Sequence, residues 1–219
     1  NLYGATKLTS DRLFVAANYY SGSENTAFAV VRYGNVMGSR GSVIPFFLSM
    51  QQKNSFPITD FRMTRFMISL DDAVQFVWQA LKDMKGGEIY IKKIPSMKVT
   101  DIALSINKKA KLKEVGIRPG EKLHEQMIGV EDSFHTYEYQ NYFKILPTRN
   151  NWNTDPKRIG KGKKVKPLFT YTSDDNKEWM SISELRNWIK KNNFKSSAIA
   201  KKLDENYGSY WEIEIYGVF

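Results

Sequence analysis

Cysteine is absent from the 219 residues, and histidine occurs only twice, at His124 and His135. Disulfides, thiol nucleophiles and cysteine-ligated zinc are thereby excluded, and a His-rich metal site has too few ligands. No metal is expected. The lack of thiols is compatible with a reducing cytoplasm, where the chain is expected to work. No run of about 20 apolar residues occurs, so no helical membrane span is expected. A basic-then-apolar leader is also missing. The chain opens Asn1-Leu2-Tyr3-Gly4 without an initiator Met, and its natural amino terminus is expected to lie upstream. Neither G-x-G-x-x-G nor G-x-x-x-x-G-K-[ST] appears, so the pyrophosphate loop of any dinucleotide site must come from residues outside these.

What is present in excess is positive charge. Thirty-three Lys and Arg against 23 Asp and Glu leave a net charge of +10. A lysine-rich solvated surface accounts for this; an anionic partner such as a nucleotide diphosphate is the alternative. The densest basic run, Lys157 to Lys164, lies between Pro156 and Pro167 and reads as an exposed loop. It lacks the interleaved aromatics of a nucleic-acid face, and nucleic acid is not expected as a partner. Trp152, Trp179, Trp188 and Trp211 read as packing residues.

Periodicity organises the first two thirds. Gly4 to Tyr20 carries a helical pattern with Gly22 as a stop. Thr26 to Tyr33, TAFAVVRY, is a short apolar, β-branched run that fits a buried parallel strand. Gly34, Gly38 and Gly41 mark a loop, and Ile44 to Gln52 reads as a helix entered by Pro45. Phe56 to Phe66 is a polar, Pro-containing stretch without an assigned element. Ser69 is an expected N-cap for a helix through Val74, Val77, Trp78 and Leu81 to the Gly86-Gly87 break. Glu88 to Ile94 reads as a strand, Val99 to Asn107 as a helix, Lys113 to Ile117 as a strand and Glu121 to Met127 as a short helix. From about Thr148 polar residues rise, with one further helix over Ser181 to Lys191 and an aromatic-rich end from Tyr207 to Phe219. Alternating helix and strand set the class as α/β.

Tyr3 and Lys7 form Y-x-x-x-K, a spacing that puts both on one helix face. An ammonium beside a phenol favours phenolate, which can then act as a general base. Alone, the spacing is common on surfaces. Here an apolar helix, a buried strand and a glycine-rich loop follow it, and such a loop is where Rossmann-type sheets place ligands. Tyr33-Gly34-Asn35-Val36 follows the strand, either as an ordinary turn or as a close-approach loop. Arg40 and the Thr64-Arg65 pair could reach phosphate, or serve as a solvated charge and a salt bridge. Arg118 and Glu121 flank a Pro119-Gly120 turn; guanidinium suits phosphate and carboxylate suits ribose hydroxyls. Neither His124 nor His135 is given a role.

Five blocks occur in order: NLYGATKLTSDRLFVAAN, VVRYGNVMGSRGSVIPFF, PITDFRMTRFMISLDDAV, GGEIYIKKIPSMKVTDIA and GIRPGEKLHEQMI. Together they resemble the inverting UDP-N-acetylglucosamine 4,6-dehydratases of pseudaminic-acid biosynthesis, closely over residues 1 to 128 and more loosely to about 180. The resemblance implies an extended short-chain dehydrogenase/reductase: a partial Rossmann-type parallel sheet with a smaller carboxy-terminal substrate domain. It implies residues 1–150 as the carboxy-terminal part of the NADP- and nucleotide-sugar-binding domain, and 151–219 as a variable extension. Tyr3 would match the tyrosine that deprotonates the sugar C4 hydroxyl, and Lys7 the lysine that holds the nicotinamide ribose. Tyr3, Lys7, Tyr33, Gly34, Asn35 and Val36 would meet NADP. Asn35, Arg40, Thr64, Arg65, Arg118 and Glu121 would meet UDP-N-acetylglucosamine, with Arg118 on the diphosphate and Glu121 on the uridine ribose. An Asp-Lys pair upstream of the tyrosine, also implied, lies outside these residues. Homo-oligomeric assembly is implied, and no membrane partner. The chain by itself is expected to be inactive. A retaining dehydratase, a UDP-sugar 4-epimerase and a non-catalytic nucleotide-sugar binder stay open as alternatives.

Overall fold

A computed structural model describes residues 2–20 and 26–192. Gly22, Trp211 and the end from Tyr207 to Phe219 lie outside the described residues.

The first helix, α1 (Leu2–Ala17), is followed by β1 (Val30–Arg32). Asn18 joins them: its Nδ2 donates to the carbonyls of Phe14, Val15 and Phe28 at 3.0–3.1 Å, and Phe28 N–H donates back to its Oδ1 at 2.9 Å. One amide thus ends the helix and docks the strand. Next come β2 (Asn35–Val36), α2 (Val43–Ser49), β3 (Ser55–Ile58), β4 (Thr64–Ile68), α3 (Leu70–Asp83) and β5 (Ile89–Lys92). β1 and β5 pair in parallel, Val30 opposite Ile89. Successive strand side chains point to opposite faces. Val30 accordingly packs with Ile89, Ile91 and Val15 of α1, while Val31 packs with Phe76 and Ala80 of α3. The two helices therefore cover opposite faces of one sheet, the layering of doubly wound α/β proteins.

Ser69 caps α3 as expected, its Oγ accepting from Asp72 N–H at 3.1 Å. The buried stripe differs from the one the sequence suggested. Ala73, Phe76 and Ala80 face the sheet, whereas Val74, Val77, Trp78 and Leu81 are exposed. The helix is apolar on two sides, and periodicity alone does not say which side meets the sheet.

The chain continues through β6 (Ser96–Lys98), α4 (Val99–Ile106), β7 (Lys111–Glu114), β8 (Gln126–Ile128), α5 (Val130–Ser133), β9 (Thr136–Glu138) and β10 (Tyr142–Ile145). After a 3-10 turn over Arg149–Thr154 come α6 (Pro156–Ile159), β11 (Lys163–Lys164), β12 (Tyr171–Thr172) and α7 (Ile182–Lys191). The main sheet runs β1-β5-β10-β9-β11, antiparallel beyond β5. Three smaller ladders join β2-β4-β6, β3-β7 and β8-β12.

Several stretches depart from the sequence reading; the basic run 157–164, read as an exposed loop, holds most of α6 and all of β11, with Arg158 buried. Phe56 to Phe66 holds β3 and most of β4, and β4 is buried along its whole length. Pro57 sits in β3 opposite Lys113, in a two-stranded ladder where one missing N–H is tolerated. Glu121 to Met127 is not a helix: 121–125 is a bent connection, and Gln126 and Met127 already belong to β8. A second core gathers α2, α4, α7 and the β3-β7 ladder, with Phe47 stacked on Phe56 at 5.3 Å and Leu185 fully buried. α7 carries a full capping box between Ser181 and Glu184. Residues beyond 150 thus supply strands to two sheets and a side chain to this core.

Gly34 sits where β2 meets β4. A Cβ there would overlap the Phe66 Cβ and lie 2.9 Å from the Phe66 carbonyl oxygen. Gly34→Ala is expected to destabilise the full-length protein by about 1–3 kcal/mol, because the clash is with a buried strand that cannot yield. Urea unfolding of the two proteins checks this.

Candidate active site

α1 runs antiparallel to β1. Asn18 meets Phe28 at one end, and Asp11 meets Arg32 at 2.7 Å further along. Arg32 is buried and also bonds Asp132 and the Met127 carbonyl. One helical turn beyond Asp11 lies Lys7. Lys7 therefore lies toward the end of α1 past which β1 runs on into the 33–42 loop. Tyr3 is one further turn along the same helix.

Beyond β1 the backbone folds tightly. Ser39 N–H donates to Val36 O and Ser42 N–H to Ser39 O, both at 3.1 Å, with Gly38 and Gly41 at φ +76° and +75°. These turns bring Asn35, Arg40 and Ser42 around a cleft closed from the other side by Thr59, Arg65 and Glu121. Asn35 Oδ1 and Ser42 Oγ are buried there without a hydrogen-bond partner among the described residues. Buried polar atoms are usually paired, so two orphans on one cleft mark a place where a ligand could supply the missing partners. Ser42 was not singled out from the sequence; a serine after glycine carries no local signal of its buried hydroxyl.

The remaining predicted residues fall as follows. Val36 lines the cleft with Asn35, while Tyr33 is half-buried against the sheet core. Arg40 is exposed on the cleft rim. Arg118 is exposed at the start of the Pro119-Gly120 turn, and its backbone N–H donates to Glu121 Oε2 at 3.3 Å. Thr64 is buried, with its hydroxyl on His124 Nδ1 at 2.8 Å and Ser173 Oγ at 2.7 Å. His124, given no role from the sequence, thus joins a hydroxyl network that ties β4 to the segment after β12. Arg65 borders the cleft, but its guanidinium hydrogens point into protein.

Glu125 lies behind Arg65, its Oε1 3.5 Å from Arg65 Nε and its side chain 2% exposed. Burial pushes its carboxyl up to about 8 against the opposing pull of Arg65 and Lys122. The unfolded value is about 4.5. A raised folded value means stability that is full below about pH 4.5 and is lost as pH rises through about 8. From this group alone, stability should fall by about 1 kcal/mol per pH unit between roughly pH 5 and 8. Glu125→Gln should flatten that slope, read as urea midpoints at three pH values.

No group of three or more His, Cys, Asp or Glu suited to a metal occurs among the described residues. None of the described helices is long and apolar enough to cross a membrane.

A two-faced parallel core, α1 laid along β1 and a cleft past the strand end define a Rossmann-type α/β protein of the extended short-chain dehydrogenase/reductase class. The family model described as "Polysaccharide biosynthesis protein" matches residues 1–147, and the chain belongs to that family. It is 53% identical over 192 residues to a UDP-N-acetylglucosamine 4,6-dehydratase (inverting) from Campylobacter jejuni, covering 84% of this chain and 58% of that protein. It is 32% identical over 191 residues to a UDP-glucose 4-epimerase from Rickettsia bellii, covering 85% of the chain and 56% of the relative. An X-ray structure of Pen from Bacillus thuringiensis superposes with a TM-score of 0.73 at 36% identity, covering 89% of this chain and 58% of that one. The chain therefore spans a little over half the length of these relatives.

Proposed function

We propose that the full-length protein is an NADP-dependent UDP-N-acetylglucosamine 4,6-dehydratase that inverts C5, and that these residues alone are inactive. The observation that carries this reading is the 53% identity to the inverting dehydratase over 84% of the chain. In this reading residues 1–150 belong to the cofactor- and sugar-binding domain, and 151–219 form a variable extension. The protein works in the cytoplasm as a homo-oligomer, supplying a 4-keto-6-deoxy sugar to surface-glycan synthesis.

Tyr3 would accept the C4 hydroxyl proton, and Lys7, on the same helix face, would favour the phenolate that does so. A bound nicotinamide cofactor supplies the hydride acceptance at C4 and its return at C6. The donor set fits the nicotinamide end of such a group: Lys7 offers an ammonium to ribose hydroxyls, and Asn35 Oδ1 is an acceptor lacking a donor. Tyr33, Gly34 and Val36 would border it. A C4 ketone acidifies the C5 proton, and water then leaves from C6 as the C5–C6 double bond forms. Asn35, Arg40, Arg118 and Glu121 would bind the nucleotide sugar, with Thr64 and Arg65 contributing from behind the cleft wall.

The 4-epimerase relative favours one other reading, since the same tyrosine and lysine serve a C4 epimerisation. Mass spectrometry separates the two. Incubation of the full-length protein with UDP-N-acetylglucosamine should give a product lighter by one water. A product of unchanged mass with the C4 epimer present would favour the epimerase instead.

A further inference from the structure

Arg65 has five N–H donors, and the four on its terminal nitrogens have acceptors within the protein. Nη1 donates to Thr64 O at 2.7 Å and Leu123 O at 3.1 Å, while Nη2 donates to Lys122 O at 3.1 Å and faces Met63 Sδ at 3.7 Å. Nε faces Glu125 at 3.5 Å. A planar guanidinium whose two terminal nitrogens both donate into the protein has no free pair of N–H groups for a bidentate grip on phosphate. Two of its acceptors, Lys122 and Leu123, belong to the segment that follows Glu121, and a main-chain bond from Thr64 N–H to Leu123 O reinforces the contact at 3.2 Å.

That segment is a small closed unit. Glu121 N–H donates to Arg118 O at 3.1 Å, Arg118 N–H donates to Glu121 Oε2 at 3.3 Å, and Gly120 turns the chain at φ +79°. Just beyond the turn, Arg65 and the Thr64 N–H tie the chain to β4 through the Lys122 and Leu123 carbonyls. Glu125 is in turn held to β4 through Ser173, whose Oγ accepts from Glu125 N–H at 2.9 Å and donates to Thr64 O at 3.2 Å.

We propose that Arg65, backed by Glu125, is a positioning residue that pins the 118–123 turn to β4 and so sets the Glu121 carboxylate on the cleft wall. The inference rests on the nucleotide-sugar reading of the cleft. It assigns Arg65 a different task from phosphate binding. Burying a guanidinium beside a carboxyl costs stability, and burial accordingly favours the neutral form of Glu125.

A double-mutant cycle in the full-length protein tests it, with Arg65→Lys, Glu121→Gln and the pair, and the affinity for UDP-N-acetylglucosamine read by calorimetry. If Arg65 acts through Glu121, each single change weakens binding about tenfold and the double is no weaker than either single. A double that weakens binding about a hundredfold, the product of the singles, would mean that Arg65 touches the ligand independently and would overturn the proposal. Hydrogen exchange gives a readout that needs no ligand. Glu125→Gln and Arg65→Lys should each speed exchange of the 121–123 amides at least tenfold with β5 unchanged; unaltered exchange there would also overturn it. Should the wild-type protein bind neither UDP-N-acetylglucosamine nor UDP, the dehydratase reading fails, and the exchange result alone decides on the clamp.

Discussion

Tyr3→Phe in the full-length protein is expected to reduce dehydration by about 10²–10⁴-fold, the usual contribution of one positioned acid–base group. The ring stays and only the phenolic oxygen goes, so affinity for UDP-N-acetylglucosamine should remain within about twofold. Lys7→Met should fall in the same range while keeping the helix, since Met and Lys have similar propensity. The two losses should not multiply, because both residues act on one proton. Single-turnover rates and direct binding measurements check all of this. A Tyr3→Phe protein with near-normal turnover would remove Tyr3 from the chemistry.

The largest stability effect is expected at Arg158. Arg158 Nη1 donates to Glu88 Oε1 at 2.6 Å and to Gly86 O at 2.7 Å, and its guanidinium lies 4.0 Å over the Trp152 ring. Glu88 is 1% exposed, and among the described residues its carboxylate otherwise accepts from the Lys85 and Gly86 amides. Removing one partner of a buried pair strands the other charge, so Arg158→Ala should cost about 3–5 kcal/mol. Asp155, which caps α6 through Lys157 N–H at 2.9 Å, keeps the local backbone in place. The loss is therefore expected to come from Glu88 and Trp152 and not from an unwound helix. Urea unfolding of the full-length protein provides the figure; a loss under 1 kcal/mol would mean water reaches Glu88.

Local signals explain which parts of this fold could be read in advance. Ser69 announces a helix because its hydroxyl accepts a free N–H within the first turn, as the Ser181 hydroxyl also does from Glu184. The α1 and β1 pattern, and with it the Y-x-x-x-K spacing, is equally local. β4 escaped because it carries Arg65, whose charge reads as solvent-exposed until carbonyls 57 and 58 residues away accept its hydrogens. β10 escaped for a similar reason. Lys144 is buried there only because Asp83 lies 2.8 Å away and the Tyr90 and Tyr139 rings face its ammonium. In the candidate site, Asn35, Arg40 and Glu121 were legible as polar residues in glycine-rich turns. The unpaired Ser42 hydroxyl and the Glu125 carboxyl were not, since burial arises from tertiary packing.

The central claim is that the protein removes water from a UDP-sugar through a C4 ketone and inverts C5. Proton NMR of UDP-N-acetylglucosamine incubated with the full-length protein in heavy water tests it most directly. The account predicts a 6-deoxy-4-keto sugar with deuterium at C5 and the inverted configuration there. Unchanged sugar, a C4 epimer alone, or a 6-deoxy-4-keto product with retained C5 geometry would contradict it.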